Sequence, residues 1–260
     1  MYFRFCNKYL LKFKNWFNDY YNQSVVIKSP EEIAYLRKAG EITVQIYQRV
    51  LKSELKPGIS EIDLALRIDK LAKELGADKE MAFSTMVSSG KNTSLVHSNP
   101  TTRLIQKGDI VQFDFGAKYK GYCSDMSRVL FMGKKKNANN KVKRMLGLVK
   151  KAQAKALEKV KSQVLISAVA KIVDDYFKKK KMQFNFLHSL GHGVGIEIHE
   201  FPRIIQASDK GQKLLGGMVV TIEPGLYFPR EYGARIEDTV LVTESGYENL
   251  TNASKEIYFA

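Results

Sequence analysis

Apolar side chains recur along the chain with the period of an α-helix in two separate places. Leu64, Ile68, Leu71 and Leu75 follow a +4, +3, +4 spacing, which places them on one helical face. A second set with the same spacing begins at Leu165, about 100 residues later, which is too long for the period of a solenoid. The pattern predicts two helices that occupy corresponding places in two similar halves.

Residues that favour helix starts and turns extend this pattern. Ser29 is suited to be an N-cap, Pro30 is suited to the first helical position, and Glu31 and Glu32 favour the first turn. A helix is therefore predicted to begin at Pro30, and the turn at residues 56–60 leads into the next helix. Apolar periodicity predicts one further helix over residues 140–160, and the helix at Leu165 is predicted to span residues 165–178.

Two apolar runs rich in β-branched residues are predicted to be strands, and each carries an acid near its end. The first, GDIVQFDFG, contains Asp114, and the second, GMVVTIEPG, contains Glu223. Two glycines that follow the first run indicate a hairpin between the strand over residues 110–115 and a strand that begins at Tyr122. The two runs therefore predict equivalent strands in the two halves.

The same repeat extends to a second pair of acids and to a pair of histidines. Asp125 in GYCSDMSRVL corresponds to Glu237 in GARIEDTVLV, and HSNP at His97 corresponds to HEFP at His199. Small loop insertions would explain why the spacing between the copies grows slowly along the chain. We predict two αβ halves related by a pseudo-twofold axis, with their acidic strands meeting at the centre.

The four repeated acids lie in sequence that should be buried. An ionised carboxylate in such a place costs several kcal/mol unless it is paired or bound to a metal. If the pseudo-twofold axis brings all four together, they repel one another unless cations compensate, and two divalent ions would supply the matching charge. The alternative is that these acids are ordinary exposed residues of the strands.

The chain has only four histidines, which limits the choice of a nitrogen ligand. His188 and His192 are four residues apart, as in a helical zinc motif, but Ser189 stands where that motif needs a glutamate. Three glycines between residues 191 and 195 also disfavour a helix. We therefore predict a glycine-rich loop that runs into a strand. A nucleotide-binding loop is not favoured, because no strand, glycine turn and helix follow in order.

The composition is that of one enzyme-sized unit with a basic surface. The 260 residues carry a formal net charge of +15, yet the lysine runs lack the aromatic and glycine pattern of RNA-binding modules, so nucleic acid is not an expected partner. No run of about 18 uncharged apolar residues predicts a membrane span. Cys6 and Cys123 are expected to be free thiols in a reducing cytoplasm.

The composition of the chain changes near residue 25. Residues 1–24 are basic and aromatic and lack the cleavage site of a signal peptide, so we interpret them as an extension. An amphipathic arm, a docking segment and a remnant of another domain remain alternatives for this extension. Residues 25–260 are predicted to form a single domain.

The acids and one histidine, in their local contexts, resemble the metal ligands of the pita-bread metallopeptidases. The contexts are FDFG, GYCSDMSR, HSLGHGVG, TIEPGLY and RIEDTVLVTE, and the ligands that the resemblance implies are Asp114, Asp125, His192, Glu223 and Glu237. The resemblance implies an α+β fold with antiparallel sheet and helices on its outer face. It also implies two divalent ions, of which Mn²⁺ is favoured over Co²⁺, Fe²⁺ and Zn²⁺.

Flanking residues resemble the proline-directed branch of this superfamily, aminopeptidase P and prolidase. These features are His188 before the metal histidine, EPGLY, RIED, and VHSNPTTR around His97. The expected substrate is a peptide with proline at its second position. Members of that branch carry an additional N-terminal domain that helps to pair subunits, so we expect the catalytic domain alone here, with a homodimer as one alternative for its assembly.

The resemblance also implies roles for individual residues. Asp125 and Glu237 would bridge the two ions, Glu223 would carry a proton to the departing nitrogen, and His97 and His199 would flank the scissile bond. The pocket that holds proline and, in dipeptides, its carboxylate is predicted to include three further residues: His188, Tyr227 and Arg235. Tyr227 could equally be a core aromatic residue, and Arg235 could equally orient the bridging glutamate.

Two other functions remain as alternatives to proline-directed cleavage. The length of the chain resembles that of methionine aminopeptidases, which act on nascent chains. An inactive relative could instead bind protein or RNA through its basic surface, but such a relative would be expected to have lost ligands.

Overall fold

The computed structural model describes residues 26–206 and 211–259, so the predicted extension at residues 1–24 lies outside the described residues. The four α-helices within these ranges are α1 Pro30–Arg49, α2 Glu61–Glu74, α3 Asn140–Leu157 and α4 Ile166–Lys179. The strands are β1 Met86–Ser89, β2 Ile110–Phe115, β3 Lys118–Tyr119, β4 Tyr122–Cys123, β5 Met126–Met132, β6 Gly191–Gly193, β7 Glu200–Ile204, β8 Val219–Ile222, β9 Gly225–Phe228, β10 Tyr232–Arg235, β11 Asp238–Val242, β12 Tyr247–Asn249 and β13 Tyr258–Phe259.

The helices begin where capping chemistry predicts. Ser29 and Glu32 form a capping box at α1, in which each side chain accepts a hydrogen bond from the other residue's backbone N–H. Ser60 and Asn139 cap α2 and α3 by accepting from the backbone N–H groups of Asp63 and Val142. The four predicted helices are therefore confirmed, with boundaries that differ by a few residues.

The strands form two main sheets, one for each half of the repeat. The first has the order β1-β2-β5-β13, in which the first three strands are antiparallel and β13 runs parallel to β5. The second has the order β12-β11-β8-β6-β7 and is antiparallel throughout its described pairs. The strands β3 and β4 form a separate two-stranded hairpin, as do β9 and β10.

The predicted hairpin between strand 110–115 and a strand from Tyr122 is wrong in its pairing. β2 pairs with β5 instead, with Asp114 opposite Ser127, and the small β3-β4 hairpin is inserted between them. Lys120 and Gly121 have φ values of 49° and 84° at its tip, which suit a tight two-residue turn. The second half repeats this arrangement, since β8 pairs with β11 and the β9-β10 hairpin lies between them.

Each half packs two helices against its sheet. α1 and α2 share a buried apolar cluster with alternate residues of β2, namely Val111, Phe113 and Phe115. α3 and α4 share a second cluster with apolar residues of β8 and β11. Because side chains alternate along a strand, Gln112 and Asp114 of β2 lie on the face away from α1 and α2. The sheets therefore direct their polar residues toward each other.

Within the described residues, none of the helices combines the length and the apolar character that crossing a membrane would require.

Candidate metal centre

A cavity of about 980 Å³ lies between the two halves, and its wall contains all five predicted metal ligands. Asp114 lies within β2, and Glu223 follows directly after β8. Asp125 and Glu237 occupy equivalent two-residue gaps, one between β4 and β5 and the other between β10 and β11. The repeat seen in the sequence therefore becomes a pair of matching carboxylate positions on opposite sides of one cavity.

Three of these side chains are close enough to share one ion. One ligand atom from each of Asp125, His192 and Glu237 lies within 4.8 Å of the other two. The Nε2 atom of His192 is 3.5 Å from Oδ2 of Asp125 and 3.5 Å from Oε1 of Glu223. Two donor atoms bound to one ion at about 2.1 Å stand about 3 to 4 Å apart, so this spacing suits a transition metal.

The imidazole of His192 is oriented for metal binding. Its Nδ1 atom lies 3.0 Å from the carbonyl oxygen of Gly193, which places the ring proton on Nδ1 and leaves the Nε2 lone pair facing the carboxylates. Burial lowers the pKa of His192 to about 4, so the ring is neutral at physiological pH. A neutral imidazole beside several carboxylates is a donor set that Mn²⁺, Fe²⁺, Co²⁺ or Zn²⁺ would accept.

The carboxylates need a compensating cation. Burial and the neighbouring carboxylates raise the pKa values of Asp125 and Glu223 well above their ordinary range. Burial and the charge of Asp114 raise the pKa of Glu237 to about 7, although Arg235 opposes this shift. Bound cations would reverse these shifts, because a metal stabilises the ionised form.

Glycines allow the strand of His192 to reach the centre. The predicted glycine-rich loop is interrupted by the short strand β6, which lies between β7 and β8, and the segment after β6 then runs into β7 as predicted. A Cβ atom on Gly191 would lie 2.0 Å from the carbonyl oxygen of Thr221, and one on Gly193 would lie 2.2 Å from that of Phe201. Residues without a side chain are therefore needed on both sides of the histidine.

Arg235 contacts four residues in and around the cavity wall. Its guanidinium forms an ion pair with Asp114 and donates hydrogen bonds to Ser127 Oγ (2.8 Å), Tyr227 Oη (2.7 Å) and the carbonyl oxygen of Val96 (3.0 Å). Ser127 in turn donates to Glu237 at 2.8 Å. Of the two predicted roles for Arg235, these contacts favour the orientation of ligand carboxylates over binding of a substrate carboxylate.

His188 lines the cavity, whereas Tyr227 lies behind its wall. The Nδ1 atom of His188 is 2.8 Å from the carbonyl oxygen of Ser189, and its Nε2 atom is 3.1 Å from the hydroxyl of Tyr227. Burial and the charge of Arg235 lower the pKa of His188 to about 3, so it is neutral. Tyr227 therefore supports both His188 and Arg235.

The paired histidines of the HxxP motifs both line the cavity. The ring of His199 lies 4.4 Å from that of His192, centroid to centroid. His97 lies in the segment between β1 and β2, which approaches the cavity from the first half. Burial, together with the charge of His97, lowers the pKa of His199. The two histidines therefore approach one chamber from different halves.

Sequence reasoning missed Arg203, which also lines the cavity. Arg203 lies on β7 opposite His192 of β6, and its charge contributes to the lowered pKa values of His192 and His199. It forms no ion pair within residues 26–206 and 211–259. The signal was present in the sequence, because Arg203 follows the HEFP motif directly.

A second missed residue, Arg128, holds the gap that contains Glu237. Arg128 is 1% exposed and donates to the carbonyl oxygens of Ser127 (3.0 Å) and Glu237 (2.5 Å) and to Oδ1 of Asp238 (2.7 Å). Gln153 of α3 donates to Oδ2 of the same Asp238 at 3.1 Å. This buried network fixes the backbone on which Glu237 stands.

Known proteins share this architecture over most of the chain. The Xaa-Pro dipeptidase of Pyrococcus furiosus is 39% identical over 232 residues, which are 89% of this chain and 65% of that relative. The chain thus spans just under two thirds of the length of this relative. The X-Pro aminopeptidase from Thermotoga maritima has a similar structure with a TM-score of 0.86 and 31% identity, covering 93% of this chain and 66% of that one.

The prolidase from Pyrococcus furiosus also has a similar structure, with a TM-score of 0.86 and 38% identity, covering 91% of this chain and 68% of that one. These neighbours confirm the predicted α+β pita-bread fold. Residues 34–244 match the family of metal-dependent peptidases described as metallopeptidase family M24. Since this match covers most of the chain and the relatives agree with it, the chain belongs to metallopeptidase family M24.

Proposed function

We propose that this chain is the catalytic domain of a metal-dependent exopeptidase that hydrolyses the bond between an N-terminal residue and a following proline. The observation that carries the proposal is the meeting of five ligands and three further histidines in one cavity between the halves. The similar proteins, an Xaa-Pro dipeptidase, a prolidase and an X-Pro aminopeptidase, support the same substrate class.

The five predicted ligands would hold two ions. Asp125 and Glu237 would bridge the ions, Asp114 would complete one position, and His192 and Glu223 would complete the other. We propose Mn²⁺ as the resident ion, since carboxylates outnumber the single imidazole. When bound, such ions lower the pKa of a shared water to about 7 and polarise a carbonyl oxygen.

Side chains of the protein would transfer a proton and orient the substrate. Glu223, which lines the cavity 3.5 Å from His192 Nε2 and 3.8 Å from His188 Nδ1, would pass a proton to the departing imide nitrogen. His97 and His199 would donate hydrogen bonds to the developing oxyanion or to the next residue. His188 would contact the proline ring, whose nitrogen has no N–H to offer the enzyme.

We propose that Arg203 binds the terminal carboxylate of a dipeptide. Its guanidinium lines the cavity beside His192 and His199 and has no ionic partner among the described residues. Arg235, the residue that the sequence suggested for this purpose, already has Asp114, Ser127, Tyr227 and Val96 as partners.

The proposed setting is the cytoplasm, with peptides and not nucleic acid as the partner. The buried, unpaired Cys123 is compatible with a reducing compartment. A homodimer is part of this proposal, and size-exclusion chromatography with light scattering would distinguish it from a monomer.

Three peptides test the substrate class. We expect hydrolysis of Ala-Pro or Ala-Pro-Ala with added Mn²⁺, no hydrolysis after EDTA treatment, and recovery on addition of metal. Met-Ala-Ser should remain intact, and its preferential cleavage would instead indicate a methionine aminopeptidase. Background rates on all three peptides with every divalent ion tried would refute the enzymatic proposal.

Two substitutions separate metal binding from turnover. Asp125→Ala should abolish both activity and metal occupancy, measured by elemental analysis, because it removes a bridging carboxylate. His97→Ala should retain metal while kcat falls by about 100-fold or more, the range for loss of one oxyanion or acid-base contact. Full activity in either variant would contradict the assigned role.

A further inference from the structure

Glu61 is a completely buried carboxylate that lies outside the metal centre. It is the first residue of α2, directly after the N-cap Ser60, and it is 0% exposed. A buried carboxylate is costly unless its oxygen atoms accept several hydrogen bonds. The partners of Glu61 therefore indicate what the residue holds in place.

The two oxygen atoms of Glu61 bind opposite ends of one loop. Oε1 accepts hydrogen bonds from the backbone N–H (2.6 Å) and the hydroxyl (2.7 Å) of Ser89, the last residue of β1. Oε2 accepts from the backbone N–H (3.0 Å) and the hydroxyl (2.6 Å) of Thr101. Asn92 adds contacts of 3.1 Å to both oxygen atoms. One carboxylate thus closes the loop of residues 90–100.

This loop carries His97 into the cavity. Val96, His97 and Asn99 all line the cavity wall. The imidazole of His97 makes no hydrogen bond with any part of the chain that the structure describes, in contrast to His188 and His192. The position of His97 therefore depends on the backbone of the loop, and not on contacts of its own ring.

The opposite side of the loop rests on β10. Thr93 Oγ1 accepts a hydrogen bond from the backbone N–H of Gly233 at 2.9 Å, and a Cβ atom on Gly233 would lie 2.3 Å from the carbonyl oxygen of Thr93. The carbonyl oxygen of Val96 accepts from Arg235. The loop is therefore held between Glu61 in the first half and Arg235 in the second.

We propose that Glu61 is a positioning residue, which fixes His97 at the scissile bond by closing both ends of its loop; this inference rests on the proposed function. A glutamine cannot replace it, because at least four N–H and O–H groups point at the two carboxylate oxygen atoms and an amide offers only one acceptor oxygen. Donors at one end of the loop would be left without an acceptor, and that end would loosen.

Kinetics of single and double variants test the coupling. In Glu61→Gln we expect kcat for the proline peptide to fall by about 10- to 100-fold, with metal content unchanged and KM altered much less. In a His97→Ala background the same substitution should cause no further loss, since the residue acts through His97. If the fold-losses in kcat of the two single variants multiply in the double variant, the proposal is overturned.

Asp63→Asn is the matched control. Asp63 lies in the same first turn of α2 and carries the same charge, but its carboxylate accepts from Ser60 and does not touch the loop. The kcat of Asp63→Asn should remain within about twofold of wild type, since this substitution alters only the hydrogen bonding between Asp63 and the N-cap Ser60. If Glu61→Gln fails to fold, Thr101→Val removes the hydroxyl hydrogen bond at one end of the attachment while leaving the carboxylate and the backbone hydrogen bond in place, and should lower kcat in the same direction by a smaller factor.

Hydrogen exchange keeps this test independent of peptidase activity. The amides of Ser89 and Thr101 should exchange at least about tenfold faster in Glu61→Gln than in wild type, while the Asp63→Asn control should match wild type. If wild type cleaves no peptide, the proposed function fails, and unchanged exchange would separately show that Glu61 does not hold the loop.

Discussion

The buried side chain of Arg235 contributes a fixed positive charge to this cavity. The guanidinium of Arg235 is 4% exposed, and although burial alone would lower its pKa, the charge of Asp114 keeps that pKa well above the ordinary value. Arg235 therefore remains a permanent cation beside the ligand carboxylates. Its single charge cannot balance the four acids, which is why the cavity still favours divalent ions.

Arg203 offers a prediction at the same scale. Arg203→Gln should raise KM for Ala-Pro by about tenfold or more, since a hydrogen bond to a charged group contributes about 1.5–3 kcal/mol. Ala-Pro-Ala should be affected less, because its terminal carboxylate lies one residue farther away. Steady-state kinetics on both peptides would check this, with Arg203→Lys as a variant that keeps the charge. An equal change for both peptides would exclude carboxylate binding by Arg203.

At the scale of elements, close backbone contacts hold the acid-bearing segments in place. A Cβ atom on Gly116, which follows β2, would lie 1.6 Å from the carbonyl oxygen of Ser124, the residue before Asp125. No side chain fits at that distance. The end of β2 and the gap that carries Asp125 must therefore move together.

Gly116→Ala should consequently displace Asp125. We expect a loss of about 3 kcal/mol or more in the free energy of unfolding, together with weaker metal binding, because backbone atoms must shift. Gly147→Ala is the control, since Gly147 lies within α3 with open space around it, and alanine should stabilise the helix by about 1 kcal/mol. Urea unfolding and metal titration would measure both effects; normal metal affinity in Gly116→Ala would contradict the coupling.

The sequence predicted elements well where the controlling interactions are local. Capping residues located the start of α1, and apolar spacing located α2, α3 and α4. The sequence-based prediction failed at the first hairpin. A turn signal at Gly121 indicates that the chain reverses there, but it does not indicate that the resulting strands pair over only two residues each. The long-range pairing of β2 with β5 depends on tertiary contacts that lie outside any local window.

Across the whole molecule, the acids of both halves make the metal-free protein sensitive to pH. Burial and the charge of Asp114 raise the pKa of Glu237 to about 7 from an ordinary value of 4.5, so the folded protein holds a proton that the unfolded chain releases. The associated stability is complete below about pH 4.5 and is lost as the pH rises through about 7. The raised pKa values of Asp125 and Glu223 act in the same direction.

Metal should therefore stabilise the protein more at higher pH. The increase in Tm on adding Mn²⁺ to stripped protein should be larger at about pH 8 than at about pH 5.5, since ligand carboxylates must ionise to bind it. Differential scanning calorimetry at both pH values would measure this. Metal-free Glu237→Gln should show a weaker loss of stability between the two, and an unchanged pH dependence would contradict the assignment.

The convergence of the acids was predictable from the sequence because duplication places equivalent residues in equivalent positions. The contributions of Arg128 and Glu61 were not, for a physical reason. Each acts on residues that are distant in the chain, as when Glu61 binds Ser89 and Thr101. Their residue types are ordinary for exposed positions, and only the fold shows that Arg128 and Glu61 are buried.

The contacts of Arg235 have a consequence for attempts to engineer new selectivity. The side chains of Asp114, Ser127 and Tyr227 all contact the same guanidinium, so a replacement at one of them changes the best residue at the others. Such positions are strongly epistatic. Libraries that vary them one at a time would discard useful combinations, whereas joint randomisation of Ser127, Tyr227 and Arg235 would sample them.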